Sequence, residues 1–496
     1  MAVKSGMLRK SVAGCAAAIA LLIVPPAGVA AKSGTASTVQ SISAQDKQKG
    51  AEAHPQLVAE FGGAMTGPQA TYVEGVGKTI SVQSGLSNAR GDFTVTLLNS
   101  PVNNAFAVPG GYVYVTRQLV ALMNNEAELA GVFGHEVGHV AARHAAKRQS
   151  AAMRNQIFGV LGAVLSGALL GDSSFGKLGQ SLFSQGSQLL TLQYSRSQET
   201  EADNLGIAYL QRAGYDPRAM GTVLQSLANQ NTIDARLMGN NTRVPAWAST
   251  HPDPASRVRS ALARAGTNPA GNLARDTFLS QIDGIMYGDD PQQGVVDGAR
   301  FSHPAFRLAF QAPAGFYLVN GTRSVAISGQ SGKGEFTSAA YSGDLAGYVR
   351  SAFATVSQGS QQQIVPQTVE RTTVNGIPAA YATARVQSQS GEVDVAVFAY
   401  EFSKTRAFHF LTISPAGSAA TFNPMYASVR RLSASEAAGV RPRKLVVVTA
   451  RSNDTMQTLS ARMAYTDAPL ERFLVLNALT ANSRIAARQK VKIVTY

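Results

Sequence analysis

The stretch Glu128-Leu129-Ala130-Gly131-Val132-Phe133-Gly134-His135-Glu136-Val137-Gly138-His139-Val140 decides how this chain is read, because it sets His-Glu-x-x-His inside an apolar, helix-compatible run. Residues four apart share a helix face, so the imidazoles of His135 and His139 can hold a single Zn²⁺. Glu136 sits beside the first ligand, where its carboxylate can take a proton from the attacking water and later pass it to a leaving amine. The pattern is that of metal-assisted amide hydrolysis. Five residues can also match by chance on a buried helix, so a third ligand has to decide.

A catalytic zinc takes three protein ligands and keeps one position open. In one class the third is a histidine six residues past the second, but position 145 is alanine here, and Ala142 replaces the glycine that class needs. His144 does not substitute for it. Nine helical steps from His135 turn about 900°, which puts His144 on the opposite face as a surface or second-layer histidine. The segment Tyr194-Ser195-Arg196-Ser197-Gln198-Glu199-Thr200-Glu201-Ala202-Asp203 is the better source. Glu199 and Asp203 are four apart on a predicted helix, so one carboxylate can bind zinc while the other accepts the spare N–H of a ligand histidine. Glu201 falls off that face and reads as solvated.

With these blocks in hand, the chain resembles the gluzincin family that holds the CAAX prenyl endopeptidases, the heat-shock protease HtpX and the periplasmic beta-barrel-assembly-enhancing protease. The similarity runs from about Asp46 to Leu262. It rests on Asn103-Asn104-Ala105-Phe106-Ala107-Val108-Pro109-Gly110-Gly111, on His135 to His139, on Ser195-Arg196 with Glu199 to Asp203, and on His251-Pro252 followed by Arg257. The resemblance implies a mostly helical zinc protease domain with a small edge-strand sheet, one zinc per chain, and Glu199 rather than Glu201 as third ligand. It also places the strand of Asn104, Ala105, Phe106 and Ala107 along the cleft, where an extended substrate can pair with an edge by main-chain hydrogen bonds. His251 is implied at the zinc, either as a donor to the oxyanion of the tetrahedral intermediate or as a fourth ligand that holds the enzyme off.

Residues 1–31 read as a cleaved secretory signal: Lys4, Arg9 and Lys10, the apolar run Val12 to Val24, then small residues around Ala30 and Ala31. The run falls short of the ~20 residues a retained membrane span needs. Cys15, the single cysteine, precedes most of the apolar run and reads as part of that leader, which leaves a mature chain without disulfides. Export to a periplasm-like space is consistent with that. The 496 residues carry a formal charge of +14, and loss of Lys4, Arg9 and Lys10 with the leader leaves +11. In an exported protein such a surplus favours anionic lipid or cell-wall polymer over nucleic acid.

The expected architecture is α+β. A protease domain spans 32–267, a linker 268–300, an α+β module of unread role 301–435, and a βααβ unit 441–496. Within the first, Asp46 to Gly62 reads as a helix, Phe93 to Leu98 as a strand, and Ala105 to Val115 as another broken at Pro109-Gly110-Gly111. Ile157 to Leu190 is apolar and glycine-rich, too short in each half to span a bilayer, and reads as a buried hairpin, a mobile cover or an interfacial contact. His303 and His409 are lone and read as structural. The last unit resembles the LysM glycan-binding module at Asn453-Asp454-Thr455, Asn477-Ala478-Leu479 and Gln489 to Ile493, with Asn453 and Arg488 where glycine is usual. From Arg441 to Tyr496 ten Lys/Arg face three Asp/Glu, a local +7, so peptidoglycan or an anionic membrane surface is the expected partner there. Two functions follow as expectations: an exported zinc endopeptidase acting on misfolded or misassembled envelope proteins, or an envelope chaperone or adaptor whose proteolysis is latent.

Overall fold

A computed structural model describes residues 39–145, 194–237, 251, 253–267, 271–360, 363–388 and 391–496. The expected leader and the apolar segment from Ile157 to Leu190 lie outside the described residues. Among the described residues no helix is long and apolar enough to cross a membrane.

The protease region opens with α1 (Ala44–Glu60), whose cap Ser43 accepts from the Asp46 amide, and α2 (Pro68–Ser81), which starts on proline. Three strands follow: β1 (Thr94–Leu98), β2 (Ala105–Val108) and β3 (Tyr112–Thr116). β3 is central, parallel to β1 and antiparallel to β2, so β2 is an edge. Its turn passes through Gly110 and Gly111 at φ 101° and 88°, where a Cβ would run into the main chain of Asp46 and Asp92. Helix α3 (Arg117–Leu122) leads into α4 (Glu126–Ala141), which carries His135, Glu136 and His139.

Helix α4 is nucleated by a reciprocal cap. The Asn125 side chain accepts from the Glu128 amide at 2.9 Å, and the Glu128 carboxylate accepts from the Asn124 amide at 2.7 Å. From Ala127 to His139 every residue is buried. A helix apolar on all sides belongs in the middle of a core. Around α4 pack α2, α5 (Arg196–Arg212), α6 (Ala219–Leu237) and the edge strand β2, and α7 (Pro254–Ala265) closes over α5 and α6. The α4/α5 crossing is made at two glycines. A Cβ on Gly134 would stand 3.1 Å from Gly206 Cα, and one on Gly206 would stand 3.0 Å from the His135 amide nitrogen. Helix α4 then stops at Ala141, and Arg143, at φ 56°, turns the chain back. The rotation that sends His144 to the far face therefore never occurs.

Within 268–300 the structure shows α8 (Arg275–Ile282), with Phe278, Leu279, Ile282 and Ile285 buried in the same core as Val73, Phe133 and Leu210. The short strand Met286–Tyr287 pairs with Arg443 and Lys444 of the C-terminal unit. Residues 301–435 form a seven-stranded antiparallel sheet in the order Glu370–Val374, Ile377–Ser388, Gly391–Ser403, Arg406–Pro415, Gly332–Ala339, Val325–Gly329, Tyr317–Asn320. Helix α9 (Leu345–Ser360) packs on its long strands, and a four-stranded sheet that includes Arg300–His303 lies beside it in the chain. Gly332–Ala339 is a strand that its composition hides, since glycine and lysine are poor strand formers and its two neighbours impose the pairing.

The βααβ order is present at the C-terminus: Arg443–Thr449, Met456–Ser460, Pro469–Leu476 and Lys490–Thr495, the two strands antiparallel. Arg488 stands at φ 67°, a left-handed position of the kind glycine fills. Leu445, Leu459, Phe473, Leu476, Val491 and Ile493 lie in one hydrophobic cluster with the core of the protease region. The basic face is also smaller than the charge count implies, because Lys492 is fully buried. Its ammonium donates to the carbonyls of Ala121, Leu122 and Met123 at 2.9, 3.1 and 2.5 Å, acceptors at the end of α3 of which Leu122 also takes the Asn124 side-chain amide at 3.2 Å. Burial pushes that ammonium below the usual lysine range, and the Glu128 charge opposes the shift. Asn477 clamps the Lys492 main chain from both sides, donating to its carbonyl at 2.9 Å and accepting from its amide at 2.7 Å.

Replacing Lys492 by methionine keeps the stem and takes the donor from the Ala121 and Met123 carbonyls, while Leu122 keeps the Asn124 side chain. We expect a loss of about 2–5 kcal/mol, at about 1–3 kcal/mol for each buried acceptor left unsatisfied. Urea unfolding followed by the single tryptophan and by far-UV circular dichroism checks this. Because the cores are continuous, the protease region and the C-terminal unit are expected to melt together, and a separate early transition of the C-terminal unit alone would contradict the shared core.

Candidate metal centre

Four buried side chains converge on one point. Among the described residues, His135, His139, Glu199 and His251 form the cluster in which one donor atom from each lies within 4.8 Å of all the others. His135 Nε2 is 3.0 Å from His139 Nε2 and 3.2 Å from His251 Nδ1. The Glu199 carboxylate is 3.5 Å from His135 Nε2, 3.3 Å from His139 Nε2 and 3.1 Å from His251 Nδ1. Zinc–nitrogen bonds of about 2.0–2.1 Å arranged tetrahedrally put neighbouring donors roughly 3.3 Å apart. The donors therefore have the spacing zinc requires, and His135 and His139 both turn the same nitrogen inward because they are one helical turn apart on α4.

The charge balance points the same way. Glu199 and Asp203 set two buried carboxylates against the single guanidinium of Arg257, a net negative charge that a cation offsets. Burial opposes ionisation of Glu199, but His251, His135 and His139 outweigh it and hold the group far below the usual carboxylate range. Asp203 is likewise opposed by burial, yet Arg257 and His135 bring it down to about 2. Glu136 differs. Burial pushes its carboxyl up, and its Oε1 has no hydrogen-bond partner, with His251 Nε2 3.5 Å away. A carboxyl raised toward neutrality and left uncommitted can both accept and return a proton.

The residues singled out in the sequence occupy defined places. Asp203 Oδ1 is 2.9 Å from His135 Nδ1, the ring nitrogen turned away from the metal point. Asn104, Ala105, Phe106 and Ala107 lie at the start of the edge strand β2, which packs beside α4. Both polar atoms of the buried Asn104 amide lack a partner. Four further residues take places that helical periodicity does not give. Arg257, from α7, donates to Asp203 Oδ2 at 2.8 Å and to Glu199, tying ligand and outer carboxylate together. Tyr194 stacks on His139 with ring centroids 3.7 Å apart. His144 is buried against His139, and Glu201, half exposed, is bonded to it rather than solvated alone. The signal for Arg257 was its place six residues after His251, whereas nothing in the sequence marks the turn at Arg143.

The profile of peptidase family M48 matches residues 68–265, a span that contains the whole donor set. The beta-barrel assembly-enhancing protease of Yersinia pestis is 34% identical over 225 residues, 44% of this chain and 44% of that protein. That of Escherichia coli strain K12 is 33% identical over 197 residues, 39% of this chain and 38% of that protein. The mitochondrial metalloendopeptidase OMA1 of Schizosaccharomyces pombe is 32% identical over 217 residues, 43% and 59% of the two chains. The chain thus spans less than half the length of the bacterial relatives it matches. The match to the M48 profile over residues 68–265 and the buried cluster of His135, His139, Glu199 and His251 agree with one another: the region is of the zinc metallopeptidase type, and its donors suit one zinc.

Proposed function

We propose that this chain is an exported zinc-dependent endopeptidase that cleaves misfolded or misassembled cell-envelope proteins. The observation that carries the reading is the convergence of His135, His139 and Glu199 beside a buried Glu136 whose Oε1 makes no hydrogen bond. When bound there, zinc supplies Lewis acidity toward a carbonyl oxygen and toward water. Glu136 takes the proton of the attacking water and hands it to the amine nitrogen as the peptide bond breaks. Beside it, β2 offers an edge for an extended peptide. Recognition through main-chain groups tolerates many sequences and requires an unfolded segment, which suits misassembled clients. Export is supported by the leader pattern of residues 1–31, and an envelope client by the similarity to bacterial beta-barrel assembly-enhancing proteases. The C-terminal unit, through its exposed arginines, would add affinity for peptidoglycan or an anionic membrane surface.

One observation favours a latent form of the enzyme, and with it the chaperone or adaptor reading. His251 Nδ1 lies 3.2 Å from His135 Nε2 and 3.1 Å from Glu199, so with zinc bound it could serve as a fourth donor and would then take the position that water or substrate needs. We read this as a capped resting state, with oxyanion duty for His251 once it has withdrawn.

Hydrolysis of casein and of an unfolded β-rich protein, with and without chelator, tests the main reading; chelator-insensitive cleavage, or no cleavage under any condition, would sink it. Glu136→Gln is expected to keep the zinc and to lower turnover by on the order of 10² to 10⁴, the effect of losing a general base. Wild-type turnover in that variant would make the motif decorative.

His251→Ala separates the two roles of the cap by sign. A capping histidine predicts higher activity or self-cleavage in the variant. An oxyanion donor predicts a fall of about 10² to 10³ with zinc retained. Activity equal to wild type would defeat both roles.

A further inference from the structure

A histidine that gives Nε2 to a metal must carry its proton on Nδ1, and that N–H needs an acceptor if the ring is to stay in place. For His135 the acceptor is Asp203, itself held by Arg257. For His139 the structure offers a different arrangement. Its Nδ1 lies 2.8 Å from His144 Nδ1, and His144 Nε2 lies 3.0 Å from Glu201 Oε2. One tautomer set satisfies all of these contacts. With the proton of His139 on Nδ1, His144 has to accept through Nδ1 and therefore carries its own proton on Nε2, where the Glu201 carboxylate accepts it.

We propose that His144 and Glu201 are positioning residues for zinc retention, a two-step relay that orients His139 from the protein surface. The inference rests on the zinc reading above. Three features of the fold build the relay. The left-handed turn at Arg143 brings His144 back under the helix that bears His139. Helix α5 presents Glu199, Glu201 and Asp203 in one turn, so a single element supplies the third ligand and the backing of both histidines. Tyr194 lies flat on the His139 ring, which leaves rotation about the ring axis to be fixed by the Nδ1 contact. The two arms differ in burial. Asp203 is 6% exposed at its side chain and Glu201 is 50% exposed, lining an open groove with Arg196, Thr200 and Asn204. The grip on His139 thus depends on a group that solvent reaches, and the grip on His135 does not.

The test measures zinc affinity of the full-length protein by chelator competition, together with the visible d–d absorption of the cobalt-substituted protein. Loss of an outer partner of a metal-bound histidine weakens metal binding by about 10–100-fold, so His144→Leu is expected in that range. Glu201→Ala is expected to weaken it by roughly 3–10-fold, less because the group is half exposed, and Glu201→Gln to recover most of that through its amide oxygen. The double variant is expected to be no weaker than His144→Leu alone, since the two act in series. Cobalt spectra of His144→Leu and Glu201→Ala are expected to shift in the same sense. Glu201 is on the surface, so its two variants decide the matter even if His144→Leu does not fold. Wild-type affinity in Glu201→Ala, an unchanged cobalt spectrum, or additive losses in the double variant overturns the relay while zinc binding by the wild type stands. A wild type that binds no zinc overturns the underlying reading and the relay with it.

Discussion

The approach of two helix backbones at Gly134 and Gly206 is the constraint on which the centre depends. Ligands that share a metal must come within about 3.3 Å of one another, and here they come from different helices. With side chains at the crossing, α4 and α5 would stand apart by the width of a methyl group or more. The Glu199 carboxylate could then no longer sit 3.3 to 3.5 Å from both imidazoles. The glycines cost helix stability, about 1 kcal/mol each relative to alanine, and the burial of α4 on every side offsets it.

Bringing these groups together in a dry core creates an electrostatic problem that the surrounding residues solve. Asp203 and Glu199 share the guanidinium of Arg257, which fixes α7 to α5 and sets the rotamers of both acids. Each ligand imidazole has its outer nitrogen engaged, so neither ring is free to turn. Glu136 Oε1, by contrast, makes no hydrogen bond, in the place where a proton has to move. Satisfied ligands beside that group make a site that is rigid where it binds and uncommitted where it reacts.

The protease region is also held from outside its own boundaries by buried cations that reach across a seam. Lys492 closes the end of α3 from the C-terminal unit. Arg117, at the start of the same helix, donates to Asn99 at 2.7 Å and to the Met286 carbonyl at 3.2 Å, and Asn99 in turn donates to Asp290 at 2.7 Å. Helix α3 is thus pinned at both ends by residues far away in the chain, and it leads directly into the metal-binding helix. The C-terminal unit therefore contributes to the geometry of the centre whatever it binds on its exposed face.

Local periodicity was enough to place His135 and His139 on one face, to pair Glu199 with Asp203 four residues later, and to order the C-terminal βααβ unit, since a helix repeat, turn residues and alternation are written in adjacent residues. The same rules put His144 on the opposite face of α4, because they assume that a helix continues, and the turn at Arg143 carries no glycine to announce it; Glu201 does leave the ligand face and is half exposed, and only its contact with His144 was not legible. They counted Lys492 among surface charges, because an alternating strand gives no sign of which face a second element covers. Which residues are charged, and which lie one helical turn apart, the sequence by itself determined. How close α4 and α5 come, which nitrogen meets which carboxylate, and which cations are buried were decided by tertiary structure alone, because they depend on contacts between segments that are tens to hundreds of residues apart in the chain.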